Sequence, residues 1–170
     1  MDKLDQITLK MMEHDAGNPK RIQHFLKVHR FAQLIGRAEH LDEHLQFILE
    51  CAAVVHDIGI GPCMEKYSCC TGDLQEKQGP ASARALLAAC DLPQEDIQRI
   101  CYLVAHHHSY DSIDVLDYQI LVEADFLVNL YEEQTAPEGI RNTLDRIFKT
   151  QMGSKLCETL FAVNKSQETV

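Results

Sequence analysis

A chain of 170 residues, 45% hydrophobic with eight glycines and five prolines, can bury one sizeable core without disulfides or structural metal, and it carries no repeat or low-complexity tract. A formal net charge of -10 argues against the basic face that a nucleic-acid polymer or an anionic membrane rewards, so neither is expected as a partner. Seven cysteines with no C-x-x-C pair and with Cys69 and Cys70 adjacent read as free thiols, and with no signal-like start and no run approaching a membrane span the expectation is cytoplasmic. Disorder is expected only at the two ends.

In chain order, Asn18-Pro19 has the form of an N-cap with proline at the first helical position. It predicts a helix carrying Ile22, His24, Phe25, Leu26, Val28, Phe31, Leu34 and Ile35 to about His40. Asp42 can cap the next helix, where Leu45, Leu49, Ala52 and His56 fall on one stripe and turn His56 inward. That apolar helix, Phe47 to Val55, stops at His56-Asp57 before Ile58-Gly59. From Ile58 to Gln78 the periodicity lapses into Gly59, Gly61, Pro62 and Gly72 among polar residues, which reads as a lid or substrate loop. Helices resume from about Pro80 to Cys90, Pro93 to His107, Leu116 to Glu133 and Pro137 to Lys149, with a short last one over Ser154 to Val163. Nothing alternates with period two, so the expected fold class is all-α, a single-domain helical bundle over residues 1–170.

Polar intruders in the apolar stripes carry the chemistry, because a buried polar group is costly unless paired or coordinated. His24 heads the face of Val28, Phe31 and Ile35; Asp125 shares a face with Leu121 and Val128. With His56 and Asp57 they make two imidazoles and two carboxylates, a set able to bind a divalent metal and leave positions open for water. Metal-activated water can then run hydrolysis without a protein nucleophile.

In this order the residues resemble the HD superfamily of metal-dependent phosphohydrolases, whose pattern is a histidine, a His-Asp pair and a distant aspartate. The resemblance runs from about Arg21 through Val128. It implies a helical bundle of the HD-domain type with the metal site at its centre, a core of about residues 18–134 and C-terminal helices at 137–163. His24, His56, Asp57 and Asp125 become the implied ligands of one divalent ion (Mn, Fe, Co, Ni, Zn or Mg). Arg21-Ile22-Gln23-His24 followed by Val28 and Ala32 favours His24 over His29.

The triplet His106-His107-His108 also resembles the family, whose two-metal members place a ligand histidine at the end of an apolar helix. His106 is the best match by position for a second metal, with His107 in reserve, and Asp57 would bridge the two ions at the reacting centre. Such members carry a further histidine where this chain has Gln78, a lysine where it has Ile60-Gly61-Pro62, and a Gly-Tyr-Pro that is absent here. These departures argue against the cyclic-dinucleotide phosphodiesterase branch.

Lys66, Lys77 and Arg84 are the candidate phosphate-binding cations. His29 is expected to pack near the site, His14, His40 and His44 to face solvent, and His108 likewise. Glu123 and Asn129, at helical spacing from Asp125, either orient a ligand or face water. Cys63, Cys69 and Cys70 read as free loop thiols. The implied activity is hydrolysis of a small phosphomonoester or phosphodiester, nucleotide-like, with a homo-oligomer left open. The alternatives are a two-iron oxygenase on the same ligands and a non-catalytic metal-bound sensor or interaction domain.

Overall fold

Asp2, Asn18 and Asp42 each place a short polar side chain just before a helix, where it accepts from N–H groups that have no partner in the helix itself. Asp2 accepts from Asp5 N at 2.8 Å and starts α1 (Lys3–His14), Asn18 from Arg21 N at 3.1 Å to start α2 (Pro19–Ala38), and Asp42 from His44 N and Leu45 N at 3.0 Å to start α3 (Glu43–Val55). The computed structural model describes residues 1–165, and among them no strand occurs. The remaining helices are α4 (Ile60–Tyr67), α5 (Gly72–Ala88), α6 (Gln94–His106), α7 (Leu116–Glu132), α8 (Pro137–Ile147) and α9 (Gln151–Phe161).

Helix α3 is buried at nine of its thirteen residues and α7 at twelve of its seventeen, so these two form the centre. Helix α2 packs across both, α6 packs on α3 and pairs with α5, and α8 and α9 close over α7. One cluster of buried side chains runs from Ile7 in α1 to Val163. Disorder at the amino-terminal end is corrected: Ile7 and Met11, one turn apart, are fully buried and hold α1 against α3 and α5. The matching expectation at the other end falls on residues 166–170, outside the described residues.

The reading of apolar runs as too short for a membrane also changes. The nearly continuous helical stretch Glu43–Tyr67 is 25 residues long and contains an 18-residue window of mean hydropathy 1.5, enough by length and composition to cross a membrane. Its apolar residues have another explanation, since 67% of that window is buried inside the fold.

The lid expected over Ile58 to Gln78 is not a loop. It is α4, a short turn ending the helix at Ser68 with φ of 57°, and the first two turns of α5. Pro80 therefore lies inside α5 rather than at its start. The glycines that read as loop punctuation serve close approach: a Cβ on Gly59 would lie 2.7 Å from Gly79 N, so the turn after His56-Asp57 rests directly on the α5 backbone. Tertiary contact of this kind outweighs local propensity.

Glu123, placed by sequence either as an orienting group or in water, does neither. It is fully buried and accepts from Gln119 Nε2 at 2.7 Å, Lys149 N at 2.6 Å, Thr150 N at 2.9 Å and Thr150 Oγ1 at 2.5 Å. One carboxylate so joins α7 to the start of α9 with its acceptor capacity used. A Cβ on Gly153 would strike that carboxylate and lie 2.6 Å from Thr150 Oγ1. Gly153→Ala is therefore expected to cost about 1–3 kcal/mol, read as a lowered urea midpoint with unchanged slope.

Candidate metal centre

Three helices deliver four side chains to one point. His24 comes from the first turns of α2, His56 and Asp57 from the end of α3, and Asp125 from the middle of α7. His24 Nε2 lies 3.2 Å from His56 Nε2, 3.2 Å from Asp125 Oδ1 and 3.7 Å from Asp57 Oδ2; His56 Nε2 lies 3.5 Å from Asp125 Oδ1 and 3.6 Å from Asp57 Oδ2. Five of the six distances among the four donors thus lie between 3.2 and 3.7 Å, the spacing of neighbouring ligand atoms around one ion whose bonds are roughly 2.0–2.3 Å long. Asp125 Oδ1 is buried and accepts no well-directed hydrogen bond, which a metal would remedy.

The hydrogen bonds behind the rings leave the Nε2 lone pairs free. His56 Nδ1–H donates to Ala53 O at 2.9 Å, and His24 Nδ1–H donates to Glu132 Oε2 at 3.3 Å. Glu132 is itself held by Lys27 Nζ at 2.5 Å. The neutral tautomer thus points two lone pairs and two carboxylates at one another, an arrangement that calls for a cation. Without a metal, protons fill that role. Burial opposes the charged rings, yet the hydrogen bond and charge of Asp125 raise His24, and the charges of Asp57 and Asp125 raise His56. Burial likewise opposes the ionised acids, but the charge of His56 and a hydrogen bond from His107 hold Asp57 down to about 2, and hydrogen bonds from His24 and His56 hold Asp125 below its ordinary value.

The sequence profile described as HD domain matches residues 21–146, about three quarters of the chain. The chain belongs to the HD domain family. No curated protein and no solved structure matches it. HD domains are in general metal-dependent phosphohydrolases that bind divalent ions, and the four convergent side chains of this one all lie within the matched stretch.

Around the HD domain's cluster the structure rearranges several expectations. His107, not His106, reaches the centre: it is buried, its Nδ1–H donates to Val104 O at 2.9 Å, and its Nε2 lies 3.1 Å from Asp57 Oδ1. His106 turns away, stacked on Tyr102 with ring centroids 4.2 Å apart and bonded through Nδ1 to Tyr102 O at 2.7 Å. His108, expected in solvent, is half-buried, and its Nε2–H donates to Gln75 Oε1 at 2.7 Å. Asp57, His107 and His108 form a second group whose donor atoms lie within 4.8 Å of one another, so it is this group and not His106 that could take a second ion.

A cavity of about 410 Å³ opens on His24 and Asp57. Its cations are Lys20 and Arg21, one turn before His24 on the same face of α2. Lys66, Lys77 and Arg84 do not line it; all three are exposed, and Lys66 lies over the Tyr67 ring. Nor does Gln78, whereas Gln75 does. Asn129 lines the cavity, one turn beyond Asp125. His29 turns instead to Glu50 at 3.0 Å, while His14, His40 and His44 are exposed, with His44 bonded to Asp96 at 2.8 Å. All seven cysteines are free, with Cys63 buried in α4. Sequence reading overlooked Glu132 and Lys27, although the spacings Asp125 to Glu132 and His24 to Lys27 put each pair on one helical face.

Proposed function

We propose that this HD domain hydrolyses a small phosphomonoester or phosphodiester, nucleotide-like, with His24, His56, Asp57 and Asp125 holding one divalent ion. The convergence of two imidazole Nε2 atoms and two carboxylates, with their nearest edges at 3.2 Å, carries this reading. A divalent ion held there lowers the pKa of a water and polarises a phosphoryl oxygen. Glu132 and Ala53 O fix the imidazoles so that no ring must turn before binding. Lys20 and Arg21 oppose the charge of the phosphate, and Asp15 orients Arg21 through a 2.6 Å contact to Nε.

His107 and His108 divide the proton handling. With Nδ1–H given to Val104 O, the His107 Nε2 contact to Asp57 is a hydrogen bond only when the ring carries its second proton, so it can hold a proton at Nε2 beside the reacting centre. Burial and the neighbouring His107 push His108 down to about 4, keeping its ring neutral at pH 7 with Nδ1 left as an acceptor for a water or substrate hydroxyl.

Metal-loaded protein offered nucleoside monophosphates, cyclic nucleotides and sugar phosphates is expected to release phosphate or open the diester for at least one of them. Lys20→Ala is expected to raise KM about fivefold for that substrate, as loss of one partly solvated charge contact would, with Lys66→Ala unaffected. Inactivity across the panel with each of the six metals would remove the hydrolase reading and leave a metal-bound sensor domain. A two-iron centre would use Asp57, which belongs to both ligand groups, as its shared ligand, and Gln78 in place of a further histidine counts against it. Iron content with redox-dependent absorption would mark the oxidative alternative.

A further inference from the structure

Phe126 shares a face of α7 with residues that line the catalytic cavity. Asn129 and Glu133 follow it by three and seven positions, the spacing of one helical face, and both line the cavity that opens on His24 and Asp57. Phe126 lines a separate cleft of about 290 Å³ with Tyr110, Asn142 and Arg146. Phe126 and Asn129, one from each lining, therefore lie about one turn of α7 apart, roughly 4.5 Å of rise along the helix.

Composition distinguishes this cleft from an ordinary surface groove. The Tyr110 and Phe126 rings meet with centroids 5.2 Å apart and planes tilted by 55°, yet Tyr110 keeps 38% of its surface exposed. Tyr110 stands in the polar connection between α6 and α7, where no core requires an aromatic. Asn142 and Arg146, one turn apart on α8 and both exposed, add an amide and a guanidinium. Aromatic faces joined by groups that donate and accept in a plane recognise a heterocyclic base by stacking and by its edge.

We infer that this cleft is a nucleobase subsite, with Tyr110 and Phe126 taking the ring of a nucleotide and Asn142 and Arg146 its edge. The nucleotide's phosphate lies at the His24–His56–Asp57–Asp125 cluster; that end rests on the phosphohydrolase reading, whereas base binding does not. The cleft adds selectivity that the cation pair Lys20 and Arg21 lacks, since those side chains meet any phosphate alike.

Saturation-transfer NMR on the metal-free full-length protein tests this with adenosine, uridine and ribose as probes. Transfer to the base protons of adenosine or uridine is expected, with none to ribose alone. Tyr110→Ala should weaken nucleoside binding roughly tenfold, from the usual worth of one base–aromatic stack, while Tyr110→Phe retains it. Arg146→Ala, at an exposed position that leaves the core intact, should weaken it several-fold. Absence of transfer to both nucleosides, equal binding by wild type and both alanine variants, or equal transfer to ribose overturns the subsite. Phosphate release from ribose 5-phosphate without nucleoside binding sinks the subsite alone; nucleoside binding through Tyr110 with no hydrolysis of any phosphoester sinks the hydrolase reading alone.

Discussion

Asp57→Ala protein is expected to purify with less than a tenth of the divalent metal that the wild type retains, and to release phosphate at least about 10³-fold more slowly, a loss of roughly 4 kcal/mol of transition-state stabilisation. Asp57 is the side chain with most to lose. Its Oδ2 lies 3.6 and 3.7 Å from the two imidazole Nε2 atoms, and its Oδ1 lies 3.1 Å from His107 Nε2. Alanine there removes a ligand, the acceptor that positions His107 and one of the two anions that neutralise the cluster. Elemental analysis of variant and wild type purified side by side reads the first effect, and a phosphate-release assay the second. His106→Ala is the control, since that ring packs on Tyr102 outside the cluster. Equal metal content in Asp57→Ala and wild type would sink the ligand assignment.

Chelation is expected to lower the melting temperature, and by more at about pH 8 than at about pH 6. An ion present at 100 to 1,000 times its Kd stabilises by about 2.7–4.1 kcal/mol, or about 5–16 °C for a chain of this size. The pH dependence comes from what replaces the ion. In the metal-free protein His24 and His56 titrate above their ordinary value of 6.5, so their contribution is complete below that value and is lost as pH rises through their folded values. Asp57 and Asp125 titrate below their ordinary 3.8; their contribution is present above it and is lost as pH falls through the folded values, about 2 for Asp57. Between those limits protonated rings and ionised acids satisfy each other. Above the upper limit the metal-free cluster loses its protons and holds two anions against two lone pairs. Thermal unfolding with and without EDTA at both pH values checks this, and a larger drop at pH 6 would contradict it.

The dyad and its two partners are readable in the sequence because each breaks an apolar stripe at a position the 3.6-residue period turns inward. His24 and His56 each lie in a stripe whose other members are mostly buried, and Asp125 has buried residues on both sides. The histidine triplet resists the same reasoning, because successive residues at a helix end point about 100° apart and the choice depends on where the turn begins. Contacts distant in sequence decide it. Arg99 binds Asp114 and Asp117, and the Tyr118 hydroxyl donates to His106 O and, at 2.6 Å, to Ser109 O, fixing the chain so that His107 faces Asp57. The same limit explains α4. Its glycines and proline read as a loop, and no local signal announces that Gly59 meets Gly79. Lys20 and Arg21 were within reach, since three and four positions before His24 is the spacing of one helical face.

The family profile ends at Arg146, but the folding unit does not. Three of the four donors that satisfy Glu123 belong to Lys149 and Thr150, and Glu123 stands two residues before Asp125 on the helix that supports the centre. A fragment trimmed to the family boundary would keep every candidate ligand and abandon a charged carboxylate in the interior beside them. Recognisable homology and physical autonomy thus stop at different places along this chain.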